Sequence, residues 1–206
     1  MATARQMIHT LFVEDQITFA EVMIPRIKSV TANGSVTWVR GRAEALKALG
    51  ETEYDQIVCD LRIPTREGEQ DEDEKHGLLV CQQAVERLPG VPVIILSAVA
   101  TIENTHRELS RTAPRDLFGT GVPYGMLDVI TKANPLDFLK ALEAFTDELH
   151  ELDQVELENS EVISLEPRPL RPVKAYCRRL GCRRGLVEGI RPGQSGAQTF
   201  GLTIFD

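Results

Sequence analysis

Five short apolar runs punctuate the first two thirds of the chain, and each stops at a polar residue. Thr10–Val13 stops at Glu14-Asp15, Gln56–Cys59 at Asp60, Val91–Leu96 at Ser97, and Asp128–Thr131 at Lys132, with Val36–Val39 the second run in chain order. Runs that are apolar throughout, rather than alternating, are what strands buried on both faces of a parallel sheet look like. Helical spacing separates them. It predicts helices over Gln16–Lys28, Arg42–Leu49, Gly77–Leu88, Thr101–Arg111 and Pro135–Leu149. In the first of these, Ile17, Phe19, Ala20, Met23, Ile24 and Ile27 share one face, and Pro25 is expected to bend or weaken the second half. Pro135 stands where a first helical turn tolerates proline, with Asn134 before it as cap.

Repeated β-α units of this kind predict an α/β fold around a parallel sheet. Open parallel sheets carry their functional groups at the carboxyl ends of the strands. Glu14, Asp15, Asp60, Ser97 and Lys132 are therefore expected to meet on one rim. Any one of them could be a helix cap or a solvated charge, but five in this order ask for a chemical reason. Three carboxylates around a gap repel one another and offer hard oxygen ligands suited to Mg²⁺. A cation there would let one carboxylate attack an anionic phosphoryl group. Asp60, directly after the central strand, is the expected nucleophile. Lys132 would neutralise phosphoryl oxygens, and Ser97 would donate a hydrogen bond to one of them.

Composition sharpens this picture in places. The formal charge of −8 hides a split: residues 165–206 hold 8 basic and 3 acidic side chains, leaving 15 basic and 28 acidic in residues 1–164. An acidic body excludes a whole-surface nucleic-acid binder. No apolar run is long enough for a membrane span, and the four cysteines are too scattered for a secreted disulfide framework, so a cytoplasmic location is expected. Cys177 and Cys182 alone make a poor half of a zinc site. His9, His76, His106 and His150 are dispersed and suggest no shared chemistry.

The motifs Phe12-Val-Glu14-Asp15, Ile57-Val-Cys-Asp60-Leu-Arg-Ile-Pro64, Ile95-Leu-Ser97-Ala98 and Ile130-Thr-Lys132 resemble the receiver domain of two-component response regulators (CheY-like). The resemblance covers about residues 8–150. It implies a flavodoxin-like, doubly wound five-stranded parallel sheet of order 2-1-3-4-5. It also implies Asp60 as phosphoacceptor, Asp15 as direct Mg²⁺ ligand, Glu14 holding a metal-bound water, and the Arg62 carbonyl as a further ligand. A histidine kinase or phosphotransfer protein would supply the phosphoryl group, and a downstream effector protein would read it. The catalysis implied is self-phosphorylation and self-dephosphorylation, not turnover of a metabolite. A homodimer through the last helix and strand is a family-level expectation.

This chain departs from the family at three places. Ala133 follows the lysine where the family has a cis proline. Val129 stands where the family has a switch aromatic. The loop Arg66–Lys75 carries six carboxylates and is expected to be a solvated, mobile face. The first two departures favour a second reading, a receiver-like interaction module that no longer uses phosphorylation as its switch. A third, an aspartyl phosphatase, is disfavoured because Arg62 stands where a second catalytic Asp would be expected.

The expected organisation is a receiver at 1–150, an acidic then proline-rich linker at 151–172, and a short basic extension at 173–206. In the extension, Lys174–Leu180 reads as a short helix, and 185–190 and 199–205 as two strands around the turn Arg191–Ala197. That turn is similar to the nucleotide loop that opens kinase-like folds. The extension is either the start of a truncated second domain or a β-hairpin. Nothing in it reads as a DNA-binding motif.

Overall fold

The computed structural model of the chain describes residues 7–88, 90–97, 116–122, 127–159, 167–190 and 199–205. The expected helix over Thr101–Arg111 and the turn Arg191–Ala197 lie outside them.

The strands β1 (His9–Val13), β2 (Ser35–Val39), β3 (Gln56–Asp60) and β4 (Val93–Ser97) form a parallel sheet in the order β2-β1-β3-β4, and Leu127–Thr131 (β5) runs beside β4 on the outer edge. All five residues of β3 are buried, as its unbroken apolar pattern requires. Gln56 reaches across the ladder, its Nε2 donating to Thr10 Oγ1 at 3.0 Å. The helices α1 (Ile17–Val30) and α4 (Pro135–Asp153) pack together, as do α2 (Arg42–Glu51) and α3 (Glu74–Arg87). Phe12, Phe118 and Phe138 are the largest fully buried side chains.

Two sequence expectations are corrected here and a third is extended. The helix α1 continues through Pro25 to Val30. Pro25 is exposed, so the carbonyl it frees is open to water, while Met23 and Ile27 anchor that half in the core. Second, α3 starts at Glu74 rather than Gly77, because the Asp73 carboxylate accepts the Lys75 N–H at 2.9 Å and caps the new first turn.

The third concerns the acidic loop, which is exposed as expected and is in addition tied by hydrogen bonds. Gly41 precedes α2 and has no side chain with which to cap it, so the first N–H groups of that helix need acceptors. The segment just before the loop supplies them: Arg42 N–H donates to Pro64 O at 3.0 Å and Ala43 N–H to Thr65 O at 2.9 Å. Asp71 accepts both the N–H (2.9 Å) and the hydroxyl (2.6 Å) of Thr65, and Asp73 N–H returns to Ile63 O.

The segment expected as a linker holds the end of α4, a strand β6 (Glu156–Asn159) and the start of α5 (Pro167–Arg179). Pro167 and Pro169 fall in the first turn of α5, where no amide hydrogen is needed. The strands β7 (Arg184–Ile190) and β8 (Thr199–Phe205) pair antiparallel, and β6 joins β7 in parallel, making a three-stranded sheet. The hairpin expectation thus gains a strand from upstream of the helix.

The helix α5 docks on the receiver at the amino ends of the strands. Arg171 pairs with Asp55 at 2.6 Å, just before β3, and Arg178 reaches Glu148 at 2.5 Å and the Phe118 carbonyl at 3.1 Å. Lys174 lies 3.7 Å from Asp153. The approach is close: a Cβ built on Gly119 (φ +71°) would stand 2.0 Å from the Ala175 carbonyl oxygen.

Candidate functional site

The rim at the carboxyl ends of the strands is shaped by backbone close to β3. Gly77 of α3 lies so near that a Cβ there would stand 2.3 Å from Asp60 O and 2.4 Å from Leu61 Cα. Its N–H donates to Leu61 O at 3.0 Å, which ties α3 to the turn after the nucleophile candidate. On the other side, Glu14 N–H donates to Val39 O at 3.0 Å, and the Trp38 indole Nε1–H donates to Glu14 O at 2.8 Å.

These constraints bring Glu14, Asp15 and Asp60 together, with one carboxylate oxygen of each lying within 4.8 Å of the others. Lys132, arriving from the end of β5, places Nζ 2.8 Å from both Glu14 oxygens and 2.7 Å from Asp60 Oδ2. It also sits 5.0 Å from the centre of the Phe19 ring. Asp60 Oδ1 accepts the Arg62 N–H at 3.2 Å. Asp15 Oδ1 is buried with no hydrogen-bond partner among the described residues. Glu14 and Asp60 are almost wholly buried, at 0% and 2% exposure. One ammonium therefore faces three carboxylates, and an oxygen is left over. That surplus of buried anionic oxygen fits a hard divalent cation such as Mg²⁺.

The electrostatics follow from burial. Loss of water pushes Glu14 up to about 7 against the pull of Lys132, with the Asp60 charge adding to the rise. Burial likewise raises Asp60 above the ordinary carboxylate range, opposed by Lys132 and the Arg62 N–H. Burial works to lower Lys132, but the Asp60 and Glu14 carboxylates together hold it above its usual value.

Of the residues expected from sequence, Glu14, Asp15, Asp60 and Lys132 are in one cluster, with Arg62 beside it. Ser97 ends β4 opposite Thr131, on the same rim, but its side chain lies outside the described residues, as does that of Val129. The Lys132–Ala133 bond is trans. Sequence reading missed Trp38, Phe19 and Arg40. Arg40 Nε donates to Asp15 O at 3.4 Å while its Nη1 meets Glu67 at 2.7 Å, joining the acidic loop to the rim. Arg40 closes an apolar run just as Asp60 does, and that was the available signal.

Comparison of the sequence with protein-family models and with curated proteins finds no match. Comparison of the fold does. A CheY-like response regulator receiver domain protein from Methanospirillum hungatei JF-1 superposes with a TM-score of 0.51 at 20% identity, over 71% of this chain and 98% of that one. The signal receiver domain of a protein described as a Luxo repressor from Vibrio parahaemolyticus gives a TM-score of 0.51 at 18% identity, over 72% and 95%. The chain thus has the fold of CheY-like receiver domains, and the part that matches has the length of the parallel-sheet domain.

Proposed function

We propose that the chain is a phosphorylation-dependent signalling module in which Asp60 accepts a phosphoryl group in the presence of Mg²⁺. The observation that carries this reading is the convergence of three carboxylates and one ammonium at the buried end of the central strand. Glu14, Asp15, Asp60 and the Arg62 carbonyl would hold the ion, which screens the incoming phosphoryl charge when bound. Asp60 would attack the phosphorus of a phosphohistidine. The P–N bond breaks, the imidazole departs with its electron pair and gains a proton, and an aspartyl phosphate remains. Lys132 would then exchange its Asp60 contact for a phosphoryl oxygen, and Ser97 would donate to another. A histidine kinase or phosphotransfer protein would be the donor, and an effector protein would read the altered surface.

A second reading has a specific observation in its favour. Lys132 already bridges Glu14 and Asp60 as an internal counter-ion, which suits an interaction module that no longer switches by phosphorylation. Incubation with Mg²⁺ and acetyl phosphate, followed by intact mass, separates the two. The first reading expects a gain of one phosphoryl group on the wild type and none on Asp60→Asn. An unmodified wild type that still binds Mg²⁺ would leave the second reading.

A further inference from the structure

The helix α5 ends in a tight reversal that joins two cysteine residues through their backbones. Gly181 adopts φ +77°, its N–H donates to Arg178 O at 2.9 Å, and Cys182 N–H reaches back to Cys177 O at 3.0 Å. This pair of nested bonds is the left-handed helix stop that folds the backbone of the residue after the glycine back onto the residue five positions earlier. Here those two residues are both cysteines. A disulfide needs Cα atoms within about 7 Å of each other, a separation such a tight reversal supplies.

The two thiols differ in access. Cys177 is fully buried, its Sγ packed over β7 so closely that a Cβ on Gly185 would stand 3.2 Å from it. Cys182 is half-exposed, and its Sγ touches only the Leu180 carbonyl, at 3.6 Å, among the described residues. Burial pushes the Cys177 thiol up, and proximity to Cys182 adds to this, so Cys177 is the slower of the two to react with a solution oxidant. The other two cysteines, Cys59 and Cys81, are both fully buried in the receiver core.

We propose that Cys177 and Cys182 form a redox-modifiable pair, closed to a disulfide by a hydroperoxide, with Cys182 the attacking and Cys177 the resolving thiol. The Cys182 thiolate attacks the outer peroxide oxygen, the O–O bond breaks, and the departing oxygen takes a proton to leave as water or an alcohol. The resulting sulfenic acid is attacked by the Cys177 sulfur; the S–O bond breaks and water leaves. Two thiols are oxidised, and one peroxide is reduced to an alcohol (or water) and water. The bridge would lock the last turn of α5, which carries Arg178 and with it the contacts to Glu148 and Phe118.

The test uses the full reduced chain and hydrogen peroxide. After oxidation, alkylation and tryptic digestion, peptides Ala175–Arg178 and Leu180–Arg183 should emerge linked, and dithiothreitol should separate them. Cys182→Ser should give no linked pair, while Cys59 and Cys81 should be alkylated in both proteins once denatured. Native trypsin should cut the oxidised chain after Arg179 and Arg183 roughly tenfold more slowly. Free Cys177 beside an over-oxidised Cys182, a bridge between two chains through Cys182, or unchanged native cleavage despite the link would each overturn the proposal.

Discussion

The two ends of the parallel sheet handle charge in opposite ways. At the amino ends every acid involved in docking has its own cation: Asp55 has Arg171, Glu148 has Arg178 and Asp153 has Lys174. At the carboxyl ends Glu14 and Asp60 share Lys132, and Asp15 Oδ1 has no partner among the described residues. One end is matched charge for charge and closed by a helix. The other is left with surplus negative charge where burial weakens the offset that water provides, an arrangement that costs stability.

Removing the shared cation should break this contrast most severely. Lys132→Met leaves Glu14 and Asp60 buried without a counter-charge, and unfolding free energy at pH 8 without divalent ions should fall by about 3 kcal/mol in urea titrations. Added Mg²⁺ should return part of it. At the other end, Gly119→Ala forces a side chain into a left-handed position against the Ala175 carbonyl. A loss of about 2–3 kcal/mol is expected there, with Mg²⁺ affinity unchanged by calorimetry. Arg171→Ala should cost less, about 1–2 kcal/mol, because the pair is partly solvated; again the metal site should be indifferent.

The pH effect is smaller and sharpens the contrast. Glu14 is raised from its ordinary 4.5 to about 7. The folded state therefore holds a proton that the unfolded state releases, and this group's contribution to stability is present at low pH and lost as pH rises through about 7. A proton on Glu14 competes with a cation, so Mg²⁺ affinity should weaken by up to about tenfold between pH 7 and 6. Least of all should change with Lys47→Ala, which removes an exposed pair 3.9 Å long with Glu51; stability should move by under about 0.5 kcal/mol.

The parallel sheet and its rim were legible in the sequence because each depends on local patterns: continuous apolar runs place buried strands, and the residues that close them must share an edge. The hydrogen bonds that tie down the acidic loop were not legible, for the opposite reason. Its carboxylates at Glu67, Glu69 and Asp71 are exposed as expected, while the carbonyls of Pro64 and Thr65 just before it serve as the acceptors that a Gly41 side chain cannot provide to α2. Composition does not show that need. The strand β6 was also missed, since Glu156–Asn159 is polar and becomes a strand only by pairing with β7, which follows after α5. The prolines at 167 and 169 looked like breakers because nothing local says that a helix starts on them. Trp38, Phe19 and Arg40 sit at the rim through contacts across the sheet, which side-chain chemistry in order along the chain does not reveal.

Trp38 has a practical consequence. It is the chain's single tryptophan, and its indole N–H is hydrogen-bonded to the carbonyl of Glu14 itself. All indole emission from the protein therefore originates one hydrogen bond away from the acid cluster. Any event that shifts the β1 terminus, whether an ion settling among the carboxylates or Lys132 swinging away, can be followed through native fluorescence in real time, with no label attached and no residue changed.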